Sequence, residues 1–327
     1  MKITIYGAGA IGLWLGVQLA HAGARVSVVA RGATLAALQR DGMVLHTAGT
    51  TLHSPVTAVQ DPSALGVQDL VIICVKAPAL REVAQRIAPL LGPHTTVLSA
   101  MNGVPWWFLQ GFGGALAGHA LQSVDAGGAI AQHIPTQHII GCVVHASCST
   151  RAPGVCQHHF GKGIIIGEPS GQPTARVQAL QALLVQAGLD SKVSAQIQQD
   201  IWYKLWGNMT MNPISAITGA TTDRILDDPL LRCFVSSVML EAKAIGVRIG
   251  IPIEQQPEDR HLVTRKLGAF KTSMLQDVEA GKPVELDALV AVVQELGRLT
   301  QVATPYTDAL LGMARVHAQV RGLYGAL

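Results

Sequence analysis

Charge is scarce in this 327-residue chain and is not segregated by sign. Lys, Arg, Asp and Glu together make up 14% of it, with 24 basic against 21 acidic residues and a formal net charge of +3. There is no basic run or patch able to neutralise a phosphate backbone, which excludes a nucleic-acid-binding class. Long apolar runs are also missing. Although 49% of the residues are hydrophobic, no stretch of about 20 lacks a polar break, so no transmembrane helix and no membrane partner are expected. The first apolar segment, MKITIYGAGAIG, leads straight into a glycine-rich turn and lacks the charged region and cleavage site of a signal peptide. The expected location is therefore cytoplasmic. The five cysteines, Cys74, Cys142, Cys148, Cys156 and Cys233, contain no C-x-x-C pair. An odd number without metal spacing points to reduced thiols and no zinc. His158 and His159 are adjacent, so they cannot share a helix face and read as loop or strand residues. Repeats and low-complexity segments are absent.

Glycine, by contrast, is abundant at 34 residues, as tight strand–helix turns require. Residues 2–6 (KITIY), 25–31 (RVSVVAR), 69–76 (DLVIICVK) and the TTVLS run have the short, β-branched, apolar character of buried strands. Helical spacing lies between them, at 13–23, 35–40 and 79–91. VLHT and TLHSPVTAV read as an antiparallel excursion, and HIIGCVVHASCS with GKGIIIGE as a further antiparallel pair. No strand is expected after residue 168. Helices are expected from QQDIWYKLWGNMTMNPISAITG up to its proline, then over 230–247, 260–279, 285–301 and 307–323. The expected fold is α/β plus all-α. A Rossmann-type doubly wound, mainly parallel sheet (1–195) precedes an all-helical domain (196–327).

Gly7-Ala8-Gly9-Ala10-Ile11-Gly12 has the G-x-G-x-x-G spacing. Its place between a strand and a helix is what gives the motif weight. Gly7 allows the tight turn, Gly9 lets a pyrophosphate approach the backbone, and Gly12 lets the helix pack on the strand. The helix N-terminus offers unpaired N–H groups to phosphates. About 20 residues on, NAD enzymes carry a carboxylate for the ribose 2′-hydroxyl. Here Ala30 and Arg31 stand instead. A guanidinium without a neighbouring acid suits a 2′-phosphate, so NADPH is the expected cofactor. Farther along, Lys204, Asn208 and Asn212 are spaced i, i+4, i+8 and form one polar stripe on a helix otherwise made of Trp202, Leu205, Trp206 and Met209. Polar groups on such a face are costly without partners.

Together these residues resemble the ketopantoate reductase family (2-dehydropantoate 2-reductases) along essentially the whole chain. GAGAIG, Arg31, Lys76 in CVKA, Asn102-Gly103, IWYKLWGNMTMNPISAITG and SMLQDVEAGKPVELD carry the resemblance. It implies NADPH-dependent reduction of a small-molecule 2-keto acid, ketopantoate to pantoate in pantothenate and coenzyme A biosynthesis. Lys204 is then the catalytic lysine, with Glu285 beside it in function. Lys76 and Asn102 belong to the cofactor side, and Ser273 to the substrate carboxylate. Asn208 and Asn212 are suited to orienting substrate hydroxyl or carboxylate groups. Partial burial of Lys204 would bring its acidity nearer the working range. Glu285 also follows Pro283 at a helix start, where an acid is favoured without any catalytic role. The chain departs from the family at Phe270, where an asparagine is common, and at Val290-Ala291, where Asn-Gly is common. A lost polar contact opens a second reading, reduction of a different 2-keto acid. A third is a non-catalytic NADPH sensor, which needs neither Lys204 nor Glu285. Apolar helical faces are compatible with a homodimer.

Overall fold

A computed structural model describes residues 1–325. The chain folds into two compact units, one of Met1–Met101 with Ala129–Asp200, the other of Asn102–Gly128 with Ile201–Leu327. It passes from one unit to the other at 101/102, 128/129 and 200/201, three crossings where the sequence suggested a single boundary.

The first unit holds strands β1 (Lys2–Tyr6), β2 (Arg25–Val29), β3 (Met43–Thr47), β4 (Thr50–Ser54), β5 (Thr57–Val59), β6 (Leu70–Ile73), β7 (Thr96–Ser99), β8 (Ile139–Ala152), β9 (Val155–Gly167) and β10 (Asp190–Val193). Its helices are α1 (Ala10–His21), α2 (Gly32–Asp41), α3 (Leu80–Arg86), α4 (Ala129–His133) and α5 (Ala175–Gln186). Strands β5-β2-β1-β6-β7-β8 lie side by side in that order and all run parallel. Counted along the chain, this is the 3-2-1-4-5-6 order of a Rossmann sheet, with its switch point between β1 and β6. Ile3, Ile5 and all four residues of β6 are buried, as strands covered on both faces must be. Leu13, Trp14, Leu15 and Val17 of α1 join Ile3, Ile5, Leu70 and Ile72 in one core.

Beyond β8 the sheet changes character. β9 runs antiparallel to β8, its first residues pair parallel with β3, and Gly163–Ile166 pair parallel with β10. Two expectations are corrected here. A strand does follow residue 168, since β10 (DSKV) is too short and too polar to show itself by hydrophobic pattern. The TLHSPVTAV segment divides at Pro55 and Val56: β4 pairs antiparallel with β3, whereas β5 joins the parallel sheet beside β2. Buried Glu168 accepts two hydrogen bonds from Arg176, at 2.6 and 2.5 Å, and so is not left as an unpaired charge.

The second unit has no strand among its described residues: its 102–128 segment is mostly turns, and the rest is helices joined by short loops. It comprises the continuation of α6 (Ile197–Thr218) beyond Asp200, then α7 (Thr222–Asp227), α8 (Pro229–Arg248), α9 (Pro257–Arg265), α10 (Ser273–Glu279), α11 (Val292–Thr300) and α12 (Pro305–Gln319). A π-helical stretch, Asp287–Ala291, leads into α11. Two buried carboxylates tie distant segments together. Glu241 on α8 accepts from the Tyr306 and Thr307 amides at 2.9 Å each, which satisfies orphan donors at the start of α12. Glu295 on α11 accepts from the Gln122 and Ser123 amides at 2.7 and 2.8 Å, fastening the 102–128 segment. That segment also buries Trp106, Trp107, Phe108 and Leu109.

Two helix expectations are corrected as well. α6 does not stop before Pro213 but continues through it to Thr218. Residues 260–279 form two helices, because Gly268 turns the chain at φ +62° between α9 and α10. No helix among the described residues is long and apolar enough to cross a membrane.

Candidate active site

The glycine turn joins β1 to α1. Gly7 sits at φ +104°, and a Cβ there would lie 2.7 Å from Val75 Cγ1. A Cβ on Gly12 would lie 2.1 Å from the Gly7 carbonyl oxygen. Both glycines are therefore demanded by the chain's own packing. Gly9 is different. A Cβ there would find only the Cys74 carbonyl oxygen, at 4.0 Å, and the residue is exposed. Nothing in the protein requires a glycine at that position, but close approach of a ligand would. Gly9 is also the N-cap of α1 and supplies no capping side chain, so the first amides of the helix gain no side-chain acceptor from it. Burial pushes the Cys74 thiol well above its usual range, leaving a neutral wall beneath the turn.

A cavity of about 340 Å³ opens at this turn, lined among others by Gly7, Ala8, Gly9, Ala30, Arg31 and Arg86. Ala10, Ile11 and Gly12 continue as the first turn of α1. Arg31 follows Ala30 at the end of β2, where it is the N-cap of α2. Its Nη1 donates to both carboxylate oxygens of Glu82 on α3, at 3.2 and 3.0 Å. Lys76 follows β6 and is exposed; its neighbours Val75 and Ala79 line the cavity. Buried Tyr6, on the same cavity, has its phenol pushed up first by burial. Arg86 pulls it back down, and Glu82 pushes it up.

The second unit holds the other residues singled out in the sequence, and of these Lys204 and Asn102 are seen to meet. Lys204 Nζ donates to Asn102 Oδ1 at 2.8 Å, so Asn102, read from the sequence as a cofactor residue, is here the partner of the lysine. The contact depends on a turn. Gly103 lies at φ +84°, and a Cβ on it would come within 2.4 Å of the Ala288 carbonyl oxygen. That oxygen accepts from the Val104 amide at 2.9 Å. Ala288 belongs to the π-helical stretch, an irregularity frequent at functional sites. Asn208 is half-buried on α6 and Asn212, at 5% exposure, is buried. Glu285 is buried just ahead of the π-helical stretch. Its chain is pinned by the Val284 amide on the Leu323 carbonyl at 3.1 Å. Nearby, Tyr324 donates to Asp287 at 2.5 Å, and its phenol, pushed up to about 12 chiefly by burial, stays a donor. Ser273 opens α10 behind the N-cap Thr272 and is half-buried, as is Phe270.

Glu82 and Arg86 were not selected from the sequence. Four residues apart on a helix, they read as an ordinary solvated ion pair; only the parallel packing of β1, β2 and β6 brings α3 to Arg31. The Lys204–Asn102 contact was likewise unread, since the partners are 102 residues apart. No group of three or more His, Cys, Asp or Glu residues able to hold a metal occurs among the described residues.

A family model described as "Ketopantoate reductase PanE/ApbA" matches residues 3–171, and one described as "Ketopantoate reductase PanE/ApbA C terminal" matches residues 196–318. A curated 2-dehydropantoate 2-reductase of Mesorhizobium japonicum is 47% identical over 325 residues, covering 99% of this chain and 100% of its own. A crystal structure of a candidate ketopantoate reductase from Ralstonia solanacearum MolK2 superposes with a TM-score of 0.94 at 57% identity, covering 98% of this chain and 99% of its own. The 2-dehydropantoate 2-reductase of Geobacter metallireducens gives a TM-score of 0.85 at 26% identity, covering 96% and 99%.

Proposed function

The chain belongs to the ketopantoate reductase family of PanE/ApbA type, and on that premise we propose that it reduces 2-dehydropantoate to pantoate with NADPH. The first unit binds the cofactor and the second carries the substrate chemistry. The observation that carries this reading is the hydrogen bond of Lys204 to Asn102, which places an ammonium group at a defined point on a largely apolar helix.

NADPH, when bound, supplies the hydride that reaches the keto carbon. Negative charge then grows on the carbonyl oxygen, and Lys204 stabilises it and gives it a proton. Asn102 fixes the lysine nitrogen by accepting one of its donors. Glu285, buried and held by its neighbours' backbone, orients Lys204 or a substrate hydroxyl. Asn208, Asn212 and Ser273 orient hydroxyl and carboxylate groups. The cofactor fits the first unit for a reason found in the chain itself, because Gly9 is a glycine with no packing need. The backbone of Gly9 and the first amides of α1 would hold the pyrophosphate. Lys76, beside the cavity, adds a cation toward the cofactor. Arg31, after Ala30 and without a carboxylate of its own strand end, takes the 2′-phosphate.

Phe270 favours one second reading. A half-buried aromatic stands where the family commonly has a polar contact, so a different 2-keto acid can be the better substrate. NADPH oxidation followed with a panel of 2-keto acids decides the matter. The expected outcome is the highest kcat/KM for 2-dehydropantoate. A higher value for another keto acid establishes the second reading, and no turnover with any, alongside tight NADPH binding, removes the catalytic one.

A further inference from the structure

The Arg31–Glu82 contact has no clear place in the architecture of the fold. The two side chains are 73% and 51% exposed, and exposed ion pairs contribute little to stability. Yet the pair lies in the lining of the cofactor cavity, and its geometry is well defined. Both carboxylate oxygens accept from one guanidinium nitrogen, at 3.0 and 3.2 Å. The oxygen at 3.2 Å also lies 4.0 Å from Arg86 Nη1. Arg86 is held in turn by the Gln60 carbonyl, at 3.2 Å from its Nη2. Glu82 thus stands between two guanidinium groups, both on the cavity wall.

We propose that Glu82 is a specificity-determining residue: it occupies Arg31 in the free protein, opposes the 2′-phosphate on binding, and with Arg86 sets how far the site prefers NADPH over NADH. This rests on the reading of Arg31 as the 2′-phosphate partner. A phosphate dianion competes with a carboxylate for the same guanidinium and wins on charge. Glu82 then remains beside it as a like charge, while Arg86 adds attraction. Toward NADH the same carboxylate acts in the opposite sense. It can accept the hydrogen bond of the free ribose 2′-hydroxyl, the task that a strand-end acid performs in NAD-binding sites. This sequence lacks that acid after β2 and offers one from α3 instead. Removing Glu82 therefore moves the two cofactors apart, which the loss of a merely structural ion pair would not do.

The test is calorimetric binding of 2′,5′-ADP, 5′-AMP, NADPH and NADH to the full chain and to its Glu82→Gln, Arg86→Ala and Arg31→Ala variants, each checked for an unchanged melting curve. Glu82→Gln is expected to tighten 2′,5′-ADP and NADPH by roughly three- to tenfold, the scale of one like charge near the surface, and to leave NADH unchanged or weaker. Arg86→Ala is expected to weaken the two ligands that carry a 2′-phosphate, 2′,5′-ADP and NADPH, by a similar factor. The gain from Glu82→Gln should shrink at about 0.5 M salt, where exposed charges are screened. Unchanged or weaker binding of 2′,5′-ADP in Glu82→Gln overturns the proposal, as does equal tightening of 2′,5′-ADP and 5′-AMP. Arg31→Ala reports separately: if it leaves 2′,5′-ADP binding intact, the 2′-phosphate reading of Arg31 fails, whatever Glu82→Gln does.

Discussion

The glycine turn presents backbone atoms, whereas Lys204 and Asn102 meet through their side chains. The turn is built from six consecutive residues, Gly7 to Gly12, whose amides and missing Cβ atoms make the space. The Lys204 contact joins α6 to the Asn102-Gly103 turn, and its partners stand 102 residues apart. A backbone site needs one short motif and tolerates an exposed setting. A side-chain site needs separated segments brought to register, and in this protein it uses buried polar anchors to do so.

Four substitutions, the last of them read against pH, test that contrast. The largest effect is expected for Lys204→Ala. Turnover should fall on the order of 10²- to 10⁴-fold, the range for losing a positioned acid, while NADPH titrates the variant as it does the parent. Loss of cofactor binding along with turnover would show that the two regions do not divide the labour in this way. Next come the glycines. Gly12→Ala forces a methyl into the Gly7 carbonyl and should cost about 1–3 kcal/mol of stability by overpacking, visible in chemical denaturation. Gly9→Ala has room within the protein, so it should denature like the parent yet bind NADPH more weakly. If Gly9→Ala is instead destabilised with its affinity preserved, the glycine serves the fold and not a ligand.

The smallest effect concerns His261, buried on α9 with Nε2 2.9 Å from Ser236 Oγ. Burial holds its pKa below the ordinary 6.5, Arg232 and Arg265 act in the same direction, and Glu258 opposes them. The unfolded chain binds the proton more readily, so the contribution of the neutral ring is fully present above the unfolded value. It is lost as the pH falls through the window between about 6.5 and the lower folded value. The melting temperature should therefore drop on acidification over that window, and less steeply in His261→Gln. Equal slopes would remove His261 as a source of the acid sensitivity.

The same contrast explains what could be read in advance. The parallel core was legible because β1, β2 and β6 are short β-branched runs set against helical spacing. The fingerprint was legible because it is contiguous. The Lys204–Asn208–Asn212 stripe followed from helical spacing alone, but its link to Asn102 did not, since nothing local ties residues so far apart. β10 was invisible because its partner, β9, supplies the apolar side chains that it lacks. Pro213 misled because a proline inside a helix removes one donor without necessarily ending the helix. The 102–128 segment is rich in glycine and short of periodicity, so its membership in the second unit rests on interactions that only folding creates, above all those of Glu295.

That segment limits how the protein can be taken apart. A single cut after residue 200 would not separate two self-sufficient modules. It would leave Trp106, Trp107 and Phe108 on the first fragment without their packing partners, and Glu295 on the second as a buried carboxylate without its donors. Exchange of catalytic halves between relatives, by recombination or by design, would have to carry residues 102–128 along with the helical half. The late half of the enzyme is thus heritable as a module only together with a stretch taken from the middle of the early half.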